Sequence, residues 1–190
     1  MLEIVFIGRG GQGAVTAANI LVEAAMIEGL HAQGFPFFGA ERRGAPVAAY
    51  ARVDKKPILR HGMFNTADVV VVLDSKLVQQ DYVSQFSLRD KGVLVLNTPH
   101  TQVPRDLKIR FEGDYSIYVV NATEIAVKNK LVIAGWPVVN TSMLGALSRA
   151  TGIVSKSAVV EAVKRYFGGR VGEVNAKASE DAYEQTVRVV

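Results

Sequence analysis

Residues 2–29 read LEIVFIGRGGQGAVTAANILVEAAMIEG. The apolar residues Leu2, Ile4, Val5, Phe6 and Ile7 predict a strand, and Gly8-Arg9-Gly10-Gly11-Gln12-Gly13 predicts a glycine-rich turn. A helix is expected from Ala14 to Glu28, packing Ala17, Ala18, Ile20, Leu21, Ala24, Ala25 and Ile27 on a sheet, with Gly29 as its C-cap. Strand, glycine turn and helix in that order form the first half of a nucleotide-binding βαβ unit. In such a unit Gly8 allows a tight reversal, Gly10 a close approach of phosphate, and Gly13 close packing of helix on sheet. The N–H groups at the helix start face an incoming anion.

The chain has 190 residues, 49% hydrophobic and 21% charged, which suits one globular domain spanning 1–190. No basic region precedes the first apolar run and no run reaches bilayer-spanning length, so no signal peptide and no membrane contact are expected. The cytoplasm is the expected location. Without cysteine, the chain itself has no means of disulfide, thiolate or iron–sulfur chemistry. A net charge of +4, scattered rather than striped, is too mild for a nucleic-acid binder.

Outward from the first helix, a short strand is expected near Leu30 to Gln33, followed by the loop GFPFFGAERRGAP, residues 34–46. Aromatics, Glu41, Arg42 and Arg43 make its content unusually specific for a loop, though phenylalanines filling a small core and an internal Glu–Arg pair would explain it equally well. Val47 to Val53 and Ile58 to Arg60 read as an inserted β-hairpin around Asp54-Lys55-Lys56-Pro57. Ala67 to Leu73 is a buried parallel strand ending at Asp74-Ser75, where Asp74 suits a helix cap. A helix from about Lys76 to Phe86 and strands at Gly92 to Leu96 and Ser116 to Val120 follow. Helices are expected near 125–129, from Asn140 to about Thr151, from Ser155 or Ser157 to Phe167, and over about 174–187. The whole reads as an α/β fold: Rossmann-like, a mostly parallel sheet with flanking helices, the hairpin insertion and a helical C-terminal layer.

Two features argue against an ordinary dinucleotide site. That mode uses an acid about 20 residues beyond the glycines to hold the ribose; the second strand ends here at Gln33, Gly34 and Phe35. Arg9 and Gln12 also stand where such turns usually carry small or apolar residues. No Lys-Ser/Thr follows Gly13, which removes the Walker loop. His31, His61 and His100 have no metal-ligand spacing, and no nucleophile–base pair or carboxylate pair appears. No metal site and no catalytic residue are therefore expected in this chain, which points to a subunit or a binding module.

The glycine turn, the run Gly39-Ala40-Glu41-Arg42-Arg43-Gly44 and the helix start Asn140-Thr141-Ser142-Met143-Leu144-Gly145-Ala146 together resemble the gamma subunit of 2-oxoacid:ferredoxin oxidoreductases of the pyruvate and 2-ketoisovalerate type. Ala45 departs from the pattern, which usually has a second glycine there. The resemblance covers the whole chain. It implies oxidative decarboxylation of a 2-oxoacid to an acyl-CoA with electrons passed to ferredoxin. It also implies alpha, beta and delta-type partner subunits carrying thiamine diphosphate and [4Fe-4S] clusters. The gamma unit would help bind coenzyme A and complete the active site. On that basis Gly8, Arg9, Gly10, Gly11, Gln12, Gly13, Glu41, Arg43 and Asn140 are the expected binding residues. Two rivals remain: a self-contained NAD(P)-binding oxidoreductase domain, against which the missing ribose acid counts, and a purely structural subunit.

Overall fold

The computed structural model describes residues 1–36, 44–99 and 103–190. In chain order it contains β1 (Leu2–Arg9), α1 (Ala14–Ile27), β2 (His31–Pro36), β3 (Pro46–Asp54), β4 (Thr66–Val72), β5 (Ser87–Asn97), β6 (Arg110–Phe111) and β7 (Tyr115–Val120). Then come α2 (Ala122–Lys128), β8 (Val132–Ile133), β9 (Trp136–Pro137), α3 (Asn140–Thr151), α4 (Lys156–Phe167), α5 (Gly169–Gln185) and β10 (Val187–Arg188).

One sheet runs in the order β10-β7-β5-β4-β1-β3-β2, with β6 added beside β5. Its centre is parallel: β1 pairs with β4, β4 with β5 and β5 with β7. Continuous β-branched runs such as Val69 to Val72 form these strands because both faces are covered. Beyond β1 the sheet turns antiparallel, β3 pairing with both β1 and β2. The expected hairpin therefore takes a different form. Its strands are β2 and β3, not residues 47–53 with 58–60, and residues 58–60 are outside any strand. Ile58 to Arg60 offered only three residues and largely exposed side chains, too little burial to hold a strand against an existing edge.

The two sheet faces are covered differently. Ile4 and Phe6 point to a deep core shared with α1, α3, α4 and α5. Val5 and Ile7 point to a second core closed by Tyr50, Leu77, Val83 and Phe86. The helix expected over 76–86 is two 3₁₀ turns, Ser75–Gln79 and Asp81–Gln85, divided by extended Gln80. Two short turns lay Leu77, Val78, Val83 and Phe86 flat on the sheet, and Asp81 is tied to Lys108 at 2.5 Å. α5 begins at Gly169, five residues before the expected position. α3 and α5 approach closely because a Cβ at Gly145 would fall on the Ser179 carbonyl. Among the described residues no helix is long and apolar enough to cross a membrane.

At the end of the sheet away from the glycine turn, the β1–β3 register sets Glu3 beside Arg52, both 1% exposed. Glu3 accepts from Arg52 Nε at 2.8 Å and from Arg89 Nη2 at 2.6 Å. Arg89 also reaches Asp68 at 2.9 Å, whose carboxylate takes the Glu3 N–H. Burial pushes the Glu3 carboxyl up, but the hydrogen bonds from Arg89 and Arg52 outweigh it and hold the group below the ordinary carboxylate value.

Candidate functional site

The glycine turn sits where the sheet changes from parallel to antiparallel, at the C-terminal end of β1. Open α/β sheets place ligands beyond the carboxyl ends of their strands at such a point. Gly8 is still in β1, and a Cβ there would press on Leu73 and on Gln12 Oε1 at 3.3 Å. It permits close packing against the end of β4, not the reversal expected from the motif. The reversal comes after it. Gln12 N–H donates to the Arg9 carbonyl at 2.9 Å, and Gln12 Oε1 accepts the Arg9 N–H at 2.7 Å. Gly11 has φ +97 with open space on its Cβ side. Gly13 is the N-cap of α1 with φ +84, and no side chain caps this helix. Its first turn holds no acid, so that turn itself supplies no counter-charge to the positive end of the helix dipole.

Arg9 and Gln12 do not simply reach outward. Arg9 Nε pairs with Asp74 at 2.6 Å, and Arg9 Nη1 donates to the Gly44 carbonyl at 3.2 Å. Asp74 also accepts the Lys76 N–H at 2.9 Å, so the cap expected for it is present beside the ion pair. Gly10 N–H donates to the Ala45 carbonyl and Gly44 N–H to the Gly10 carbonyl. The glycine turn is thus stitched to residues 44 and 45, the end of the loop the sequence singles out. Glu41 and Arg43 lie outside the described residues.

Among the described residues, two clefts flank the turn. On one side, Arg9, Gln12, Asp74, Lys76, Asn97 and Trp136 line a crevice of about 430 Å³ above the parallel strands. Asn97 is held there by bonds to the Leu73 carbonyl and Thr123. On the other side, Gly11, Gly13 and Asn140 line a groove of about 640 Å³ with an apolar wall that includes Ile133, Tyr166 and Val171. Asn140 is 2% exposed, and its Oδ1 accepts the Thr141 N–H at 2.9 Å. A Cβ at Gly13 would meet Asn140 Nδ2 at 2.6 Å, which explains the glycine. The structure therefore brings Gly8 to Gly13 and Asn140 together.

The ion pair of Arg9 with Asp74 was not legible from the motif, because 65 residues separate them. The β8–β9 hairpin, which bears Ile133 and Trp136, did have a signal. Ala134-Gly135 sits between two apolar pairs, and both residues have positive φ, as a type I′ turn requires. Among the described residues no group of three His, Cys, Asp or Glu could hold a metal ion.

The family model for pyruvate ferredoxin/flavodoxin oxidoreductase matches residues 3–185. The common gamma subunit of the pyruvate/ketoisovalerate oxidoreductases from Pyrococcus furiosus is 47% identical over 186 residues, covering 98% of this chain and 97% of that one. Among solved structures, pyruvate oxidoreductase subunit PORC from Thermotoga maritima superposes with a TM-score of 0.80 at 34% identity, over 100% of this chain and 98% of that one. The 2-oxoglutarate:ferredoxin oxidoreductase from Magnetococcus marinus, solved with 2-oxoglutarate, coenzyme A and succinyl-CoA bound, shares the fold at a TM-score of 0.71 and 20% identity, over 97% of this chain and 30% of that chain.

Proposed function

The chain belongs to the pyruvate ferredoxin/flavodoxin oxidoreductase family as a gamma-type subunit of a 2-oxoacid:ferredoxin oxidoreductase, and from that premise we propose that it holds coenzyme A at its glycine turn and completes the active site of the assembled enzyme. The observation that carries this reading is the acid-free, uncapped start of α1 directly after the turn. Such a helix end binds phosphate through its free N–H groups and dipole. Coenzyme A offers a diphosphate and a 3′-phosphate. The sheet supports the same ligand by disfavouring its rival. In a dinucleotide fold the second strand lies parallel beside the first and ends on a ribose-binding acid. Here antiparallel β3 occupies that place, and β2 ends at Phe35 and Pro36.

The reaction we assign to the assembly converts a 2-oxoacid and coenzyme A to acyl-CoA, carbon dioxide and a proton, while two ferredoxins each take one electron. Thiamine diphosphate, bound on a partner subunit, would supply the carbanion chemistry. Iron–sulfur clusters fit partners of alpha, beta and delta type, since this chain has no cysteine for thiolate ligation. This chain's own part is binding and orientation. Gln12 fixes the turn through the Arg9 N–H. Asp74 restrains Arg9 at the crevice mouth. The Gly10 and Gly44 bonds tie residues 44 and 45, which lead into β3, to the same rim. Calorimetric titration of the assembled enzyme with coenzyme A and with NAD tests the reading. Saturable coenzyme A binding without NAD binding is expected; the reverse pattern would reject it.

A further inference from the structure

We infer that the loop of residues 55–63, at the end of the sheet away from the glycine turn, is a docking knob. Its partner is a neighbouring subunit of the assembled enzyme that presents an apolar pocket with an acidic rim. This rests on the chain's place as a subunit and not on the coenzyme A reading.

The loop is held in one shape. It leaves β3 after Asp54 and rejoins the core at Phe64, just before β4. Arg52, 1% exposed, lies beneath it. Arg52 Nη2 donates to the Gly62 carbonyl at 2.9 Å and Nη1 to the Arg60 carbonyl at 3.4 Å. Gln33 Nε2 donates to the same Arg60 carbonyl at 2.6 Å. Phe64 closes the far end, its ring 4.8 Å from the Arg52 guanidinium and edge-on to Tyr50. A buried guanidinium needs acceptors for its remaining donors, because Glu3 takes only Nε. That need explains the path of the loop's backbone. It does not explain the side chains the loop carries outward.

Leu59 is 87% exposed, more than any other large apolar side chain among the described residues, and Met63 is 56% exposed. Single exposed apolar residues are ordinary. These two share one short loop whose backbone is fixed by three side-chain hydrogen bonds. Such a knob is already ordered, so docking it loses little conformational freedom.

Charge identifies the partner. Lys55, Lys56 and Arg60 are exposed on the same loop, and no Asp or Glu lies between residues 55 and 63. Lys55 and Lys56 have no ion pair among the described residues. Arg60 reaches only Glu3, at 4.0 Å, which Arg52 and Arg89 already hold. The adjoining acid, Asp54, is taken by the N-terminal ammonium at 3.0 Å. A second copy of this loop would set like charges together. A phosphate backbone would take the cations and leave Leu59 in water. An acid-rimmed apolar pocket on another protein satisfies both.

The test is the dissociation constant of this chain from the rest of the assembled enzyme, measured by sedimentation on dilution. Leu59→Ser should weaken assembly about tenfold or more. Leu59 is so exposed that this variant has no core packing to lose. Wild-type assembly should weaken as salt rises, and a Lys55→Gln, Lys56→Gln double variant should flatten that dependence. Wild-type affinity in Leu59→Ser, or an affinity indifferent to salt, would overturn the inference. So would an isolated chain that self-associates through Leu59 while assembly is unaffected, which would make the occupant a second copy. Failure here leaves the coenzyme A reading standing, and the reverse holds, because β1 and β3 carry the loop and the glycine turn at opposite ends of their register.

Discussion

A methyl group at Gly13 would meet Asn140 Nδ2 at 2.6 Å, on a residue whose φ is +84. Gly13→Ala therefore carries two costs, backbone strain and displacement of a buried amide. We expect a loss of about 2–3 kcal/mol of stability, measured by urea unfolding. At the same scale, Gly8 and Gly13 exchange the roles their motif suggests. Gly8 makes room for Leu73 and Gln12, while Gly13 makes room for Asn140 and caps the helix. The sequence motif shows that glycines are needed here. It does not show which neighbour needs each one, because Leu73 and Asn140 arrive from distant parts of the chain. Arg9 illustrates the same limit. It is an expected binding residue, yet its guanidinium is paired with Asp74 of the same chain.

The elements that were legible are those with an unambiguous period and punctuation. β1, α1, β4 and α3 fall within a residue or two of expectation, and Ser155 caps α4 by accepting the Ala158 N–H. Asn121 caps α2 in the same manner through the Glu124 N–H. The segment 76–86 reads as one helix because Val78, Tyr82 and Phe86 share a helical spacing. Extended Gln80 breaks that spacing, and each half buries its own apolar pair. β2 and β3 each read as strands, but their pairing is tertiary and has no local signature. The α3–α5 contact is also tertiary. It depends on Gly145 lying against the Ser179 carbonyl, with Thr141 donating to Asn175 at 3.1 Å nearby. Gly145→Ala should force the helices apart and cost about 3 kcal/mol, with a matching fall in urea midpoint. A neutral Gly145→Ala would mean that the helices slide freely.

Across the molecule, one sheet separates the edge that bears the glycine turn from a charged base. The helices lie on one face, and the glycine turn with its two clefts lies at the carboxyl end of the parallel strands. At the opposite end Glu3 is held below its ordinary value of 4.5 by Arg89 and Arg52 despite burial. A depressed acid contributes stability above its unfolded pKa and loses it as pH falls through the folded one. Unfolding midpoints should therefore hold steady above about pH 5 and fall below the usual carboxylate value. Glu3→Gln should be less stable at neutral pH, because it leaves Arg52 buried with a neutral partner. These charges support the scaffold from the end opposite the proposed coenzyme A site. In the function proposed above, the start of α1, behind the glycine turn, meets the phosphates of coenzyme A. Gly11 lies at that mouth with open space beside it but φ +97, so Gly11→Asp places a carboxylate there and Gly11→Asn imposes the same backbone strain without the charge. Calorimetric titration of the assembled enzymes should show coenzyme A affinity about tenfold or more lower in Gly11→Asp than in Gly11→Asn, and equal affinity in the two variants would contradict the account.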